Sequence, residues 1–286
     1  MHSGLTQLRT TDPFSRAEFP IYVQYPTLAA SGGAMLGPYR FDATAEAPIA
    51  PGRFPVCLIS HGGGGSPLLY RSIATHLAQR GYLVLAPEYP GDNRNDRSLA
   101  NTDTAAERRP DQTSRTLDAL LADPRFRDHA DPLRVVMVGH SMGGFTALAL
   151  AGAQAWSRER RPLGTAPDSR LRAAVLLAPA TEWFAAPHAL DRVTVPLLVF
   201  LAEQDTVTPP ERIRAVLAAL PATTPCTFRP VSGAGHYSFL TPFPPALRRP
   251  DFPPAQDPAG FDREQFHREL PRLVEEFLTR CLAATP

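Results

Sequence analysis

Val135-Val136-Met137-Val138-Gly139-His140-Ser141-Met142-Gly143-Gly144 is an apolar run that ends in Gly-x-Ser-x-Gly and passes directly into the Ala/Leu-rich segment Phe145 to Ala153. A β-branched run followed by a helix former predicts a strand, a sharp turn and a helix, with Ser141 at the tip of the turn. Gly139 and Gly143 suit it because side chains there would collide across so tight a turn. A serine in that position is held in strained backbone geometry and presents its Oγ outward. It also sits at a helix N-terminus, whose dipole and free N–H groups favour a developing negative charge.

Outward from this turn the chain alternates short apolar runs with helix-forming segments. Strands are predicted at Ile21 to Tyr25 (an early edge strand), Val56 to Ser60, Leu83 to Ala86, Arg134 to Val138, Ala173 to Leu177, Leu197 to Ala202 and Thr227 to Val231. Helices are predicted at Leu69 to Arg80, Gln112 to Ala122, Gly144 to Ala155, Pro210 to Ala219 and Glu264 to Leu282. Most of the strands are continuous Val/Leu/Ile runs, which suit strands covered on both faces. Alternation of strand and helix implies right-handed crossovers and a mostly parallel, doubly wound α/β sheet with helices on both faces. In such sheets ligands bind beyond the carboxyl ends of the strands, so the loops following each strand are where function belongs.

The 286 residues are read as a single α/β domain, with 1–19 as an N-terminal lead segment. Pro179 to Val195 is too short for a large cap domain. The 32 prolines cluster between the apolar runs, most of all in a 241–260 excursion, where neither helix nor central strand can persist. Because the excursion follows His236, it is expected to lie near the site, either walling its entrance or packing across the sheet edge.

A formal net charge of +1 with scattered charges leaves no basic stripe for nucleic acid. No apolar stretch is long enough to span a bilayer, and Met1 to Phe19 lacks the apolar core of a signal peptide, so a cytoplasmic location is expected. Cys57, Cys226 and Cys281 are odd in number and widely spaced, which suggests neither a disulfide framework nor a metal site. Cys57 and Cys226 read as buried small hydrophobes.

A serine hydroxyl needs a histidine to take its proton and a carboxylate to fix that histidine's tautomer. After Leu197 to Ala202 comes the polar loop Glu203-Gln204-Asp205-Thr206-Val207-Thr208, which offers Asp205, with Glu203 as its competitor. After the last strand, Ser232-Gly233-Ala234-Gly235-His236 places His236 in a Gly-rich loop. The order Ser, Asp, His is that of the strand-turn-helix serine sites. Ser60-His61-Gly62-Gly63-Gly64-Gly65-Ser66 is the candidate oxyanion loop, with Gly63 as one N–H donor and Met142 as the other; Gly62 and Gly64 are alternative substrate-facing donors. His61 and His140 are expected to pack behind the site rather than hold a metal. Trp183 and Phe184 follow a strand end and are candidates either for the acyl pocket or for core.

With these residues in place the chain resembles the α/β-hydrolase superfamily, from about Ile21 to Phe277. Within it, the chain is similar to the group that includes platelet-activating-factor acetylhydrolases, dienelactone-hydrolase-like proteins and polyester-cleaving esterases. Ser60-His61-Gly62-Gly63-Gly64 and Gly139-His140-Ser141-Met142-Gly143-Gly144 are widely shared among hydrolases, and Gly235-His236 also looks like this group. Ala86-Pro87-Glu88-Tyr89-Pro90-Gly91-Asp92-Asn93 and Gly260-Phe261-Asp262-Arg263 are narrower and carry most of the subgroup assignment, and Arg109-Pro110-Asp111 also looks like this group. The resemblance implies a serine esterase with Ser141 as nucleophile, Asp205 as orienting acid, His236 as base and no metal or organic cofactor. It does not carry the substrate; the leading reading is a small-molecule carboxylic ester with a short to medium acyl group. Acyl transfer, lactone or amide cleavage by the same residues, and a noncatalytic binding role, remain alternatives, and the oligomeric state is not legible.

Overall fold

A computed structural model describes residues 1–284. Its strands are β1 (His2–Thr11), β2 (Glu18–Thr27), β3 (Met35–Leu36), β4 (Tyr39–Arg40), β5 (Thr44–Ala45), β6 (Phe54–Ser60), β7 (Leu83–Pro87), β8 (Ala130–His140), β9 (Leu171–Leu177), β10 (Leu197–Ala202) and β11 (Cys226–Val231). Its α-helices are α1 (Arg71–Gln79), α2 (Asp103–Ala122), α3 (Met142–Leu150), α4 (Pro210–Leu217) and α5 (Arg263–Ala283). One nine-stranded sheet runs in the order β11-β10-β9-β8-β6-β7-β2-β1-β5. From β7 to β11 every pairing is parallel, whereas β2 pairs antiparallel with both β7 and β1.

Alternate residues of the central strands feed two cores. Val56 and Leu58 of β6 and Val135 and Met137 of β8 pack with Phe145 and Leu148 of α3 on one face. Cys57, Ile59, Val136 and Val138 pack with Ile73 and Leu77 of α1 and Val274 and Phe277 of α5 on the other. Burial on both faces is why these strands read as unbroken apolar runs. Cys57 is fully buried as expected, but Cys226 is only half-buried.

The amino-terminal reading needs correcting. Residues 1–19 are not a lead segment: β1 pairs with β2 along its whole length, from His2 opposite Thr27 to Thr11 opposite Glu18. Consequently β2 is interior, between β7 and β1, and Ile21 to Tyr25 is not an edge. Gly4 is needed here, since a Cβ on it would lie 2.3 Å from the Tyr25 ring. Helix α2 also begins nine residues before the expected Gln112, because Pro110 is accommodated inside it and Thr102 caps its start, accepting a bond from Ala105 N at 3.2 Å.

The chain passes from β6 to β7 on one side and returns through α2 to β8 on the other. Strand order therefore reverses at β6, and the loops after β6 and β8 part to leave a crevice at their carboxyl ends. Between β9 and β10 lies only the short 3-10 turn Glu182–Phe184, so no cap domain is inserted there.

Candidate active site

Ser141 sits at the β8–α3 junction with φ 54° and ψ −118°, a region that side-chain-bearing residues seldom occupy. Neighbouring strands hold it there. Ser141 N donates to Leu177 O at 3.0 Å, and Ser141 O accepts from Gly144 N at 2.8 Å and Ala180 N at 3.0 Å. A Cβ on Gly139 would lie 2.1 Å from Gly143 O, across the turn as anticipated. A Cβ on Gly143 would instead lie 1.9 Å from Ser60 O, so the second glycine is required by the end of β6.

Asp205, after β10, and His236, after β11, come together, with Asp205 Oδ2 2.8 Å from His236 Nδ1. The other carboxylate oxygen accepts from Val207 N and Thr208 N, both at 2.8 Å, and Thr208 Oγ1 donates to Oδ2 at 2.9 Å. Burial pushes the Asp205 carboxyl up, but the hydrogen bond and charge of His236 and the Thr208 bonds outweigh it and hold the group below its ordinary value. An ionised Asp205 fixes the proton of His236 on Nδ1 and leaves Nε2 as a base. The competitor Glu203 is turned away, accepting from Ser232 Oγ at 2.9 Å and Gly233 N at 2.7 Å. Ser141 Oγ carries no hydrogen bond among the described residues; such bonds often tighten only once substrate is bound.

In the loop after β6 the amides sort themselves. Gly62 N donates to the Tyr70 hydroxyl at 3.2 Å and Gly64 N to Asp92 Oδ1 at 2.6 Å. Neither is therefore available to substrate, which removes the two alternative donors. Among the described residues the amides of Gly63 and Met142 have no acceptor. They are neighbours, since a Cβ on Gly63 would lie 3.2 Å from Met142 Cγ. Two unpaired N–H groups beside Ser141 can stabilise an oxyanion.

Sequence reasoning missed what holds this loop. Arg109 of α2, only 1% exposed, donates from Nη2 to His61 O at 2.7 Å, lies over the Tyr89 ring at 4.2 Å and pairs with Asp92 at 3.5 Å. Asp92 in turn accepts the Gly64 amide. A buried ion pair thus grips the loop from both ends. The signal was present, since Asp92 and Arg109 both lie in motifs quoted above, but sequence alone does not pair them.

His140 packs behind the site. Its Nε2 lies 2.9 Å from His236 O and its Nδ1 2.9 Å from the Tyr70 hydroxyl. A carbonyl only accepts, so Nε2 carries the proton and Nδ1 accepts from Tyr70, whose oxygen is then free to accept from Gly62 N. Burial and the neighbouring His236 push the His140 pKa down to about 3, which keeps the ring neutral, as this arrangement demands. His61 is likewise pushed well down by burial and by Arg109. Among the described residues no group of His, Cys, Asp and Glu is placed to hold a metal ion.

The proline-rich excursion buttresses the His236 turn. Arg263 bonds Asp257 Oδ2, Pro254 O and Gln256 O, each at 2.8 Å. Asp257 accepts from Ser238 Oγ at 2.7 Å, and Ser238 Oγ accepts the Gly235 amide at 3.0 Å.

The family description "alpha/beta hydrolase fold" matches residues 55–193, which include the oxyanion loop and Ser141. The solved structure of a ferulic acid esterase from Streptomyces cinnamoneus superposes with a TM-score of 0.73 at 21% identity, covering all of this chain and 91% of that one. The chain has the α/β-hydrolase fold. Esterase 2 of Thermogutta terrifontis shares the architecture, with a TM-score of 0.57 at 19% identity over 96% of this chain and 94% of that one. Among curated proteins, this chain is 29% identical to the quorum-quenching protein AidA of Acinetobacter baumannii, over 60% of this chain and 48% of that one. It is 27% identical to cutinase est2 of Thermobifida alba, over 63% and 52% respectively. The chain spans about half the length of the curated relatives it matches.

Trp183 and Phe184 are both buried in the core. Phe184 is stacked on Phe145 at 5.1 Å. Trp183 packs edge-on against the same Phe145 at 5.2 Å.

Proposed function

We propose that this α/β-hydrolase cleaves carboxylic esters with short to medium acyl groups through an acyl-enzyme. Ser141 Oγ attacks the ester carbonyl while His236 Nε2 takes its proton, and Asp205 stabilises the imidazolium that forms. The carbonyl oxygen, now negative, accepts from the amides of Gly63 and Met142. Collapse releases the alcohol, which receives the proton from His236. Water then enters by the same route, His236 taking its proton, and frees the acid and Ser141. No step requires a metal or an organic cofactor.

The observation that carries this reading is the pair of unpaired amides, Gly63 and Met142, beside a positive-φ serine. A Gly-rich turn with only a structural part would have no reason to leave both donors empty. The cutinases and the ferulic acid esterase to which the chain is similar support the same reaction class.

The test is turnover of p-nitrophenyl esters from acetate to decanoate by the wild type and by Ser141→Ala. We expect activity that peaks at short to medium chains and disappears in the variant, whose thermal unfolding is unchanged. Wild-type rates in folded Ser141→Ala would refute the assignment.

A further inference from the structure

Thr208, buried in the loop after β10, has its hydroxyl among three polar atoms. Oγ1 lies 2.9 Å from Asp205 Oδ2, 3.2 Å from His236 Nδ1 and 3.1 Å from the main-chain oxygen of Ala178. A hydroxyl has one proton and two lone pairs. Nδ1 already carries the proton that Asp205 fixes there, so toward the ring the hydroxyl only accepts. Toward the two oxygens it only donates, with a single proton for both. The ionised carboxylate takes that proton at rest, since hydrogen bonds to charged groups are roughly twice as strong as neutral ones.

Ala178 O is then left without a donor. Ala178 is fully buried with φ 43°, and among the described residues its oxygen has no other hydrogen-bond partner. A buried carbonyl without a donor is costly, so the Thr208 proton has a second place to go.

The turn that carries Ala178 abuts the serine. Ala180 N donates to Ser141 O at 3.0 Å, and a Cβ on Gly144 would lie 2.5 Å from Pro179 Cβ. On the other side, the Thr208 amide donates to Asp205 Oδ1 at 2.8 Å, so the carboxylate itself fixes where the hydroxyl stands. Thr208 thus joins the acid and base to the turn that supports the nucleophile.

We propose that Thr208 is a positioning residue for the reaction, its hydroxyl turning from Asp205 to Ala178 as His236 takes the proton of Ser141. At rest the bond to Oδ2 holds that oxygen opposite the ring. As the imidazolium forms, Nδ1–H draws on Oδ2 more strongly, the hydroxyl proton swings to Ala178 O, and an Oγ1 lone pair faces Nδ1–H. The carboxylate charge is then directed at the imidazolium, and the turn beside Ser141 gains its missing donor in the same step. Thr208 keeps its proton throughout; only the direction of its bond changes.

The kinetic part rests on the ester-hydrolase reading, and the test separates the two. Thr208→Val keeps the branched shape and removes the hydroxyl, whereas Thr208→Ser keeps the hydroxyl and removes the methyl group. With p-nitrophenyl butyrate we expect kcat to fall about tenfold in Thr208→Val with KM within about twofold, and Thr208→Ser to stay within about threefold of wild type. Thermal unfolding of each protein checks that the rates belong to folded enzyme. A second readout needs no turnover: the far-downfield proton resonance of His236 Nδ1–H, assigned by its absence in His236→Gln. It should move in Thr208→Val and hold its wild-type position in Thr208→Ser. Wild-type kcat in Thr208→Val, an equal loss in Thr208→Ser, or a loss carried by KM alone would overturn the proposal and leave the esterase reading intact. If the wild type hydrolyses no ester, the esterase reading falls and the resonance decides: a shift confined to Thr208→Val supports the coupling of Thr208 to His236, and no shift overturns it.

Discussion

His140 Nε2 donates to the main-chain carbonyl of His236 at 2.9 Å, so the residue preceding the candidate nucleophile holds the loop of the candidate base. The connection continues from His140 Nδ1 to Tyr70 and from Tyr70 to the Gly62 amide, at 2.9 and 3.2 Å. One buried chain of hydrogen bonds therefore joins the serine turn, the histidine loop and the oxyanion loop. Each bond fixes the direction of the next.

Removing the Tyr70 hydroxyl breaks that chain in the middle. Tyr70→Phe leaves Gly62 N–H and His140 Nδ1 buried and unpaired, at a cost of about 1–3 kcal/mol in urea unfolding. The expected kinetic signature is a fall in kcat of roughly ten- to a hundredfold with KM little changed, because the displaced groups act on the reaction more than on binding. A loss confined to stability would show that the chain does not position the site.

The Arg109–Asp92 pair gives a sharper contrast. Arg109→Met strands a buried carboxylate and should cost about 3–5 kcal/mol. Adding Asp92→Leu removes the stranded charge and should recover much of that stability. Activity should not recover, since Gly64 N still lacks its acceptor and His61 O its donor. Urea melts and steady-state rates on the same three proteins test both halves.

Asp205→Asn should lower kcat by about 10⁴, because the amide cannot both orient His236 and stabilise its charged form. Glu203→Gln should leave it within about twofold, as expected of an exposed side chain outside the site. The reverse result would reassign the acid.

Acid should destabilise the fold well above the carboxylate range. His140 titrates at about 3 and His267 at about 4 when folded, against 6.5 when free, and both are held neutral mainly by burial. Between those values the unfolded chain binds protons that the folded chain does not, so stability is full above about pH 6.5 and falls as pH drops. Each such histidine contributes a slope of about 1.4 kcal/mol per pH unit, and the buried His61 adds to it in the same direction. Depressed carboxylates such as Asp205 add their loss only below the free value of 3.8. Urea midpoints from pH 7 to pH 5 should fall steadily, and less steeply in His267→Gln.

The parallel part of the sheet was legible because β6 through β10 are buried on both faces and carry continuous Val/Leu/Ile runs. The amino-terminal hairpin was not. Strand β1 is a mixed sequence, His2-Ser3-Gly4-Leu5-Thr6-Gln7-Leu8, whose pairing with β2 depends on a long-range register and on a glycine beneath Tyr25. Helix α2 was read short because Pro110 marks a helix end locally, and tertiary packing overrides that signal. At the candidate site, the turn of Ser141 and the meeting of Asp205 with His236 were readable because chain order and loop position constrain them. The loop's supports were not, since Arg109 of α2, Asp92 and Tyr70 reach it only when three separate segments meet.

The most direct test of the central claim is to treat the purified protein with a fluorophosphonate and locate the adduct by mass spectrometry. A serine activated by His236 and facing two unpaired amides should give one stoichiometric adduct, on Ser141, which Asp205→Asn slows sharply and Ser141→Ala abolishes. Folded protein that takes no adduct on Ser141, or is labelled at another residue at the same rate in both variants, would contradict the account.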